Sequence, residues 1–196
     1  MMSYEFIIED ELPHSAVFPY QIQNSAAPET FMMSEDAVSA MMSILQIMDK
    51  LDTEDQLDEH CFNQIWLKSE LTPARAEEVY LYLEERFAVE PLPSEEEIAA
   101  FHQAQRDESK LLSQESRKEG MVPVHKFSTN DGWLVTTKEC GLIAEVFSAE
   151  LVGENHFVIA QISELCKIGH QKLAELLIEW GKFNLFASKH GGYRVN

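Results

Sequence analysis

Helix-start signals punctuate this chain at four places, and they commit most of its length beyond residue 33 to helix. Ser34 is an N-cap residue followed by Glu35 and Asp36, whose charges suit the positive end of a helix. Thr72 and Pro73 place a capping hydroxyl and then a proline at the first helical position, where the missing N–H goes unused anyway. Ser94-Glu95-Glu96-Glu97 and Thr136-Thr137-Lys138-Glu139 are capping boxes. In each, a hydroxyl and a carboxylate three residues on satisfy two backbone donors reciprocally.

Apolar spacing behind these starts supports the helices. Val38, Met41, Met42, Leu45 and Met48 form one stripe; Phe62, Ile65 and Trp66 mark a second helix over 59–68. Val79, Leu83 and Phe87 line a third, which Pro91 and Pro93 stop. A helix over 95–117 buries little beyond Ile98, Phe101, Leu111 and Leu112, as a connector would. Ahead of Ser34, Tyr4–Ile8 suits a short strand, and Pro13, Pro19 and Pro28 argue against further regular structure.

The C-terminal part changes character. Val124–Phe127 and Trp133–Val135 are β-prone and flank the turn signal Asn130-Asp131-Gly132, which predicts a hairpin. A helix from the second capping box follows, with Ile143, Val146 and Phe147 inward, and Gly153 breaks it. Helices over 157–168 and 170–190 come next. Gly191-Gly192 then releases the chain into Tyr193-Arg194-Val195, a last strand beside the hairpin. The expected fold is therefore α+β and predominantly α-helical. It divides into an acidic helical part (1–93, irregular over its first 33 residues), a connector helix (94–122), and a C-terminal module of three helices with a small antiparallel sheet (123–196).

Charge is distributed unevenly over these parts. The net charge is −19, of which residues 1–60 contribute −12 with Lys50 as their single basic side chain, while residues 123–196 contribute −1. Such a chain repels nucleic acid and anionic membrane, because phosphate binding needs cationic groups that displace counterions. It attracts a protein with a basic surface. The run Asp49, Asp52, Glu54, Asp55, Asp58 and Glu59 supplies the candidate protein-binding residues, beside a segment dense in methionine (Met32, Met33, Met41, Met42, Met48), a residue suited to adaptable contacts. A homo-oligomer is compatible with the composition. Cys61, Cys140 and Cys166 are too few and uneven for a disulfide framework, which with no secretory signal or membrane span predicts a cytoplasmic protein.

Two strings in the C-terminal part carry a resemblance: Asn130-Asp131-Gly132-Trp133-Leu134-Val135-Thr136 continuing to Glu139-Cys140, and Phe183-Asn184 with His190-Gly191-Gly192-Tyr193-Arg194-Val195. Residues 124–196 resemble a group of small uncharacterised bacterial proteins with an NDGWxVT…EC segment and a terminal HGGYRV segment. The chain departs from that group in having Thr137 where proline is usual. The resemblance implies bacterial origin and a module boundary near residue 122, and implies no activity.

Motifs for nucleophilic catalysis and for phosphate loops are absent from the sequence. Cys166 and His170 are four apart and could share a helix face as two metal ligands, but no second close pair completes a site. Glu77-Glu78 and Glu84-Glu85 read as solvated charge rather than catalytic carboxylates, which need desolvation. No catalytic residue, cofactor or metal is therefore assigned. The leading expectation is a non-catalytic, acidic protein-binding protein of inhibitor or immunity type. One alternative is an enzyme or small-ligand binder with a pocket of Asp131, Trp133, His190 and Arg194. The other is a winged-helix DNA-associated protein, with residues 157–195 as helix, turn, helix and wing and Lys172, Lys182, Lys189 and Arg194 as its cations.

Overall fold

The computed structural model describes residues 3–12, 16–20, 29–54, 71–83, 91–128 and 132–196. The fold is α+β and mostly helical, as expected. Its compact units, however, divide the chain differently from 1–93, 94–122 and 123–196. One unit joins Met1–Gln56 to Glu115–Asn196, and the other is Leu57–Gln114.

Backbone pairing explains the first unit. Strand β1 (Ser3–Ile8) pairs antiparallel with β2 (Thr30–Ser34) on one side and with β6 (Tyr193–Val195) on the other; β6 pairs in turn with β5 (Trp133–Val135). The sheet order is β2-β1-β6-β5, so the last strand is central and holds the first. The expectation of an irregular first 33 residues is corrected here: Phe31 and Met33 oppose Phe6 and Tyr4 in a second strand. The expected hairpin is corrected too. Val124–Phe127 is a 3-10 turn, and β5 takes β6 rather than that segment as its partner.

Alternation along the paired strands sends Tyr4, Phe6, Ile8, Phe31, Met33, Trp133, Val135, Tyr193 and Val195 to one buried face. Helix α7 (His170–Ala187) covers that face. Trp180 lies 4.5 Å from Phe6, 5.2 Å from Phe31 and 5.4 Å from Tyr193, ring centre to ring centre, and stacks on Phe183. Full burial of each such ring stabilises the fold by about 1.5–3 kcal/mol. Helix α1 (Glu35–Ile47) is capped by Ser34, whose hydroxyl accepts from the Ala37 N–H. Helix α4 (Thr137–Val146) opens with the expected Thr136 and Glu139 box. It is followed by α5 (Ala149–Glu154) and α6 (His156–Leu165), so Gly153 sits within a helix rather than breaking one. Strands β3 (Leu51–Asp52) and β4 (Val122–Pro123) form a short parallel ladder where the chain leaves this unit and returns to it.

The second unit contains α2 (Pro73–Leu83) and α3 (Glu95–Leu112). Leu71, Ala76, Val79 and Phe101 are its buried cluster, with Leu83 and Ile98 packed against them. Thr72 caps α2 through the Arg75 N–H, and Ser94 with Glu97 forms the expected box. Arg75 grips both oxygens of Glu97 at 2.7 and 3.0 Å. That pairing, together with the Ser94 N–H, lowers the Glu97 carboxyl pKa to about 2. The helix expected over 59–68 lies outside the described residues.

Gly192 shows how tightly the β6 entry is built. Its φ is +89°, and a Cβ there would lie 2.1 Å from the Val135 carbonyl oxygen. Gly120 has a similar φ of +77° in open space. Gly192→Ala is expected to cost at least about 2 kcal/mol by chemical denaturation, from strain plus displacement of β5. Gly120→Ala, with strain alone, is expected to cost about 1 kcal/mol. Equal losses would mean that the β5–β6 contact does not tighten the site.

Candidate functional site

Of the acidic run, Asp49, Asp52 and Glu54 lie among the described residues, and they differ in exposure. Asp49 is exposed just after α1, with φ of 55°, a conformation that aspartate tolerates. Asp52 is 2 % exposed, which corrects its reading as a partner-facing residue. Its carboxylate accepts from the Ser116 hydroxyl at 2.7 Å and the Glu54 N–H at 3.2 Å, and pairs with Lys118 at 3.1 Å. Burial alone would raise the Asp52 pKa, but those donors outweigh it and lower it. Glu54 is exposed and pairs with Lys118 at 2.8 Å. Asp55, Asp58 and Glu59 lie outside the described residues. Exposed carboxylates of the same part stand elsewhere: Glu9, Asp10 and Glu11 after β1, and Glu35 and Asp36 at the start of α1.

The alternative pocket is not assembled by its described members. In β5 and β6, Trp133 opposes Val195 and Leu134 opposes Arg194, so the indole and the guanidinium point to opposite faces of the sheet. Trp133 is buried with its ring 4.6 Å from that of His125. Arg194 donates to both carboxylate oxygens of Glu9, at 2.9 and 3.1 Å, and to the Gly132 carbonyl at 3.0 Å. His190 follows α7, its ring 4.3 Å from that of Phe186. Asp131 lies outside the described residues.

Other expectations are corrected by where helices end. Helix α6 stops at Leu165 and Gly169 caps α7, so Cys166 and His170 share no helix face. Among the described residues no group of three metal-ligating side chains occurs. The segment read as a wing is β6, paired with β1 on one edge and β5 on the other.

What the sequence did not disclose is a buried ion pair. Lys126, in the 3-10 turn, is fully buried and donates to Glu139 Oε1 at 2.9 Å, to Glu139 Oε2 at 2.7 Å and to the Leu134 carbonyl at 2.7 Å. An ammonium has three donors, and all are used. Glu139 also accepts from the Thr136 N–H at 2.8 Å, closing the capping box of α4. The ion pair thus ties together the turn, β5 and the helix start. Desolvation raises the Glu139 pKa and lowers that of Lys126, and each offsets part of the other's penalty. Cys140 is buried beside them; its thiol donates to the Val135 carbonyl at 3.6 Å, and burial pushes its pKa well above the usual thiol value. The Tyr193 phenol is raised likewise, chiefly by burial.

Comparison with protein-family models, with curated proteins and with solved structures finds no match.

The two sequence strings meet in this arrangement. Trp133–Val135 pairs with Tyr193–Val195, and Glu139-Cys140 lies beneath them. The capping-box spacing marked Glu139, but the β-prone look of Val124–Phe127 hid Lys126.

The pair's chemistry is structural, and it predicts an asymmetry. Lys126→Met leaves Glu139 buried and unpaired and is expected to cost about 3–5 kcal/mol in urea denaturation. Lys126→Met with Glu139→Gln keeps acceptors for the Thr136 N–H and removes both charges. That double variant is expected to recover at least half of the loss. A double variant no more stable than the single one would contradict the ion-pair account.

Proposed function

We propose that this chain is a non-catalytic acidic protein that binds and covers a basic surface on another protein, in the manner of an inhibitor or immunity protein. The observation that carries the reading is the exposure of Asp10, Glu11, Glu35, Asp36 and Asp49 in the part of the chain whose single basic residue is Lys50. A field of that sign raises the encounter rate with a cationic partner and opposes nucleic acid and anionic lipid. The buried groups with chemical potential favour the same reading: Lys126 and Glu139 spend their hydrogen bonds on one another and on the backbone, and Cys140 is held as a thiol. Cys140 and Cys166 are free thiols, which suits a reducing cytoplasm. Among the described residues no helix is long and apolar enough to cross a membrane.

The partner is to be recovered by pull-down from the native host, and its association measured against salt. The on-rate is expected to fall steeply between about 10 mM and 150 mM salt, as the screening length shortens from about 30 Å to about 8 Å. Neutralising Glu11, Asp49 and Glu54 to the amides should slow association more than neutralising Glu145, Glu150 and Glu175, although both sets change net charge equally. A neutral or acidic partner, or equal effects of the two sets, would reject the proposal.

A further inference from the structure

Two large apolar side chains of helix α6 stand in solvent: Phe157 is 74 % exposed and Leu165 is 81 % exposed. They are eight positions apart, which puts them about 80° from one another around the outer side of the helix and about 12 Å apart along its axis. Gln161 and Glu164 share that exposed side, while Ile159, Ile162 and Ser163 fill the buried one. The His156 ring lies 4.0 Å from that of Phe157 and backs it. Single exposed apolar residues are ordinary on protein surfaces, but here a pair lines one helix face inside a rim of carboxylates.

Carboxylates from α1, from α6 and from the end of α5 contribute to the rim. Glu164 lies in the last turn of α6, at the negative end of the helix, and that turn holds no basic residue. Helix α1 packs against α6, and Asp36 is close enough to Cys166, next to Leu165, to act on its thiol alongside burial. Glu35 and Asp36 are exposed at the start of α1, and Glu154 is exposed just before α6 begins. Lys167, directly after this end of α6, is exposed and is a cation at the edge of the face.

We propose that this face of α6 is the docking surface for a basic amphipathic helix of the partner protein. Phe157 and Leu165 seat against its apolar stripe, and its lysines or arginines meet Glu35, Asp36, Glu154 and Glu164. The inference rests on the acidic-partner reading above and adds where the contact lies and what occupies it. A facing helix offers apolar anchors at i, i+4 and i+7, a spacing that spans the two knobs. A second copy of this chain would instead bring the same four carboxylates against these four, and like charges across an interface oppose association.

The probe is a helical peptide of leucine and lysine with its leucines on one face, compared with an isomer of the same composition whose leucines are scattered. Fluorescence anisotropy with the full chain at physiological salt is expected to show the ordered peptide binding at least about tenfold tighter. Phe157→Ala with Leu165→Ala should abolish that preference without moving the thermal midpoint, since both side chains are exposed. Val17→Ala, at a position 85 % exposed elsewhere on the chain, should retain it. A preference that survives the double variant would overturn this surface and leave the acidic-partner reading standing. Failure of both peptides to bind even at low salt would overturn both. A wild-type dimer that the double variant disperses would put a second copy on the face and overturn the cationic occupant.

Discussion

Strand β6 is hydrogen-bonded along both edges, and the first unit depends on that double pairing. Three residues at the end of the chain receive β1 on one side and β5 on the other, with Tyr193 and Val195 turned into the aromatic core beneath α7. Remove them, and β1 keeps only β2 while β5 has no strand left. The close approach elsewhere follows from the same layer: a Cβ on Gly181 would meet the Phe147 carbonyl oxygen at 2.3 Å, so α7 can lie on α4 only where a side chain is missing.

The Lys126 and Glu139 pair does different work from the aromatic core. Apolar packing tolerates many arrangements of similar volume, whereas a desolvated ion pair with every donor placed tolerates few. The Glu139 carboxylate fixes the first turn of α4 against a lysine 13 residues earlier, and the Lys126 ammonium, by donating to the Leu134 carbonyl, also fixes the rise of β5. Its role here is to set geometry, and the stability it contributes over an apolar substitute is small.

Much of this was legible locally. Ser34, Thr72, Ser94 and Thr136 each cap the helix that their spacing announced, because a cap is decided within four residues. The short strand at Tyr4–Ile8 and the last strand were legible as well. Partners distant along the chain were not. Phe31 and Met33 became strand because β1 lies beside them, and Asp52 became buried because Ser116, sixty-four residues on, returns to meet it. The pocket reading placed Trp133 and Arg194 together because they are close after strand pairing, but the pairing register turns them to opposite faces. Register is a property of two segments, and neither one reveals it alone.

The order in which the chain is made gives the central strand another consequence. Residues 3–8 are synthesised well before residues 193–195 and must wait for them before their second edge is covered. At roughly 5–20 residues per second that wait is on the order of ten to forty seconds. During it, Phe6 and Ile8 have no completed sheet to enter, whereas α2 and α3, which lie in one contiguous stretch, can already pack on each other. The exposed β1 edge is then the segment that a chaperone or a neighbouring nascent chain would meet, and the charges of Glu9, Asp10 and Glu11 at its end are the features that keep that edge from pairing with a stranger.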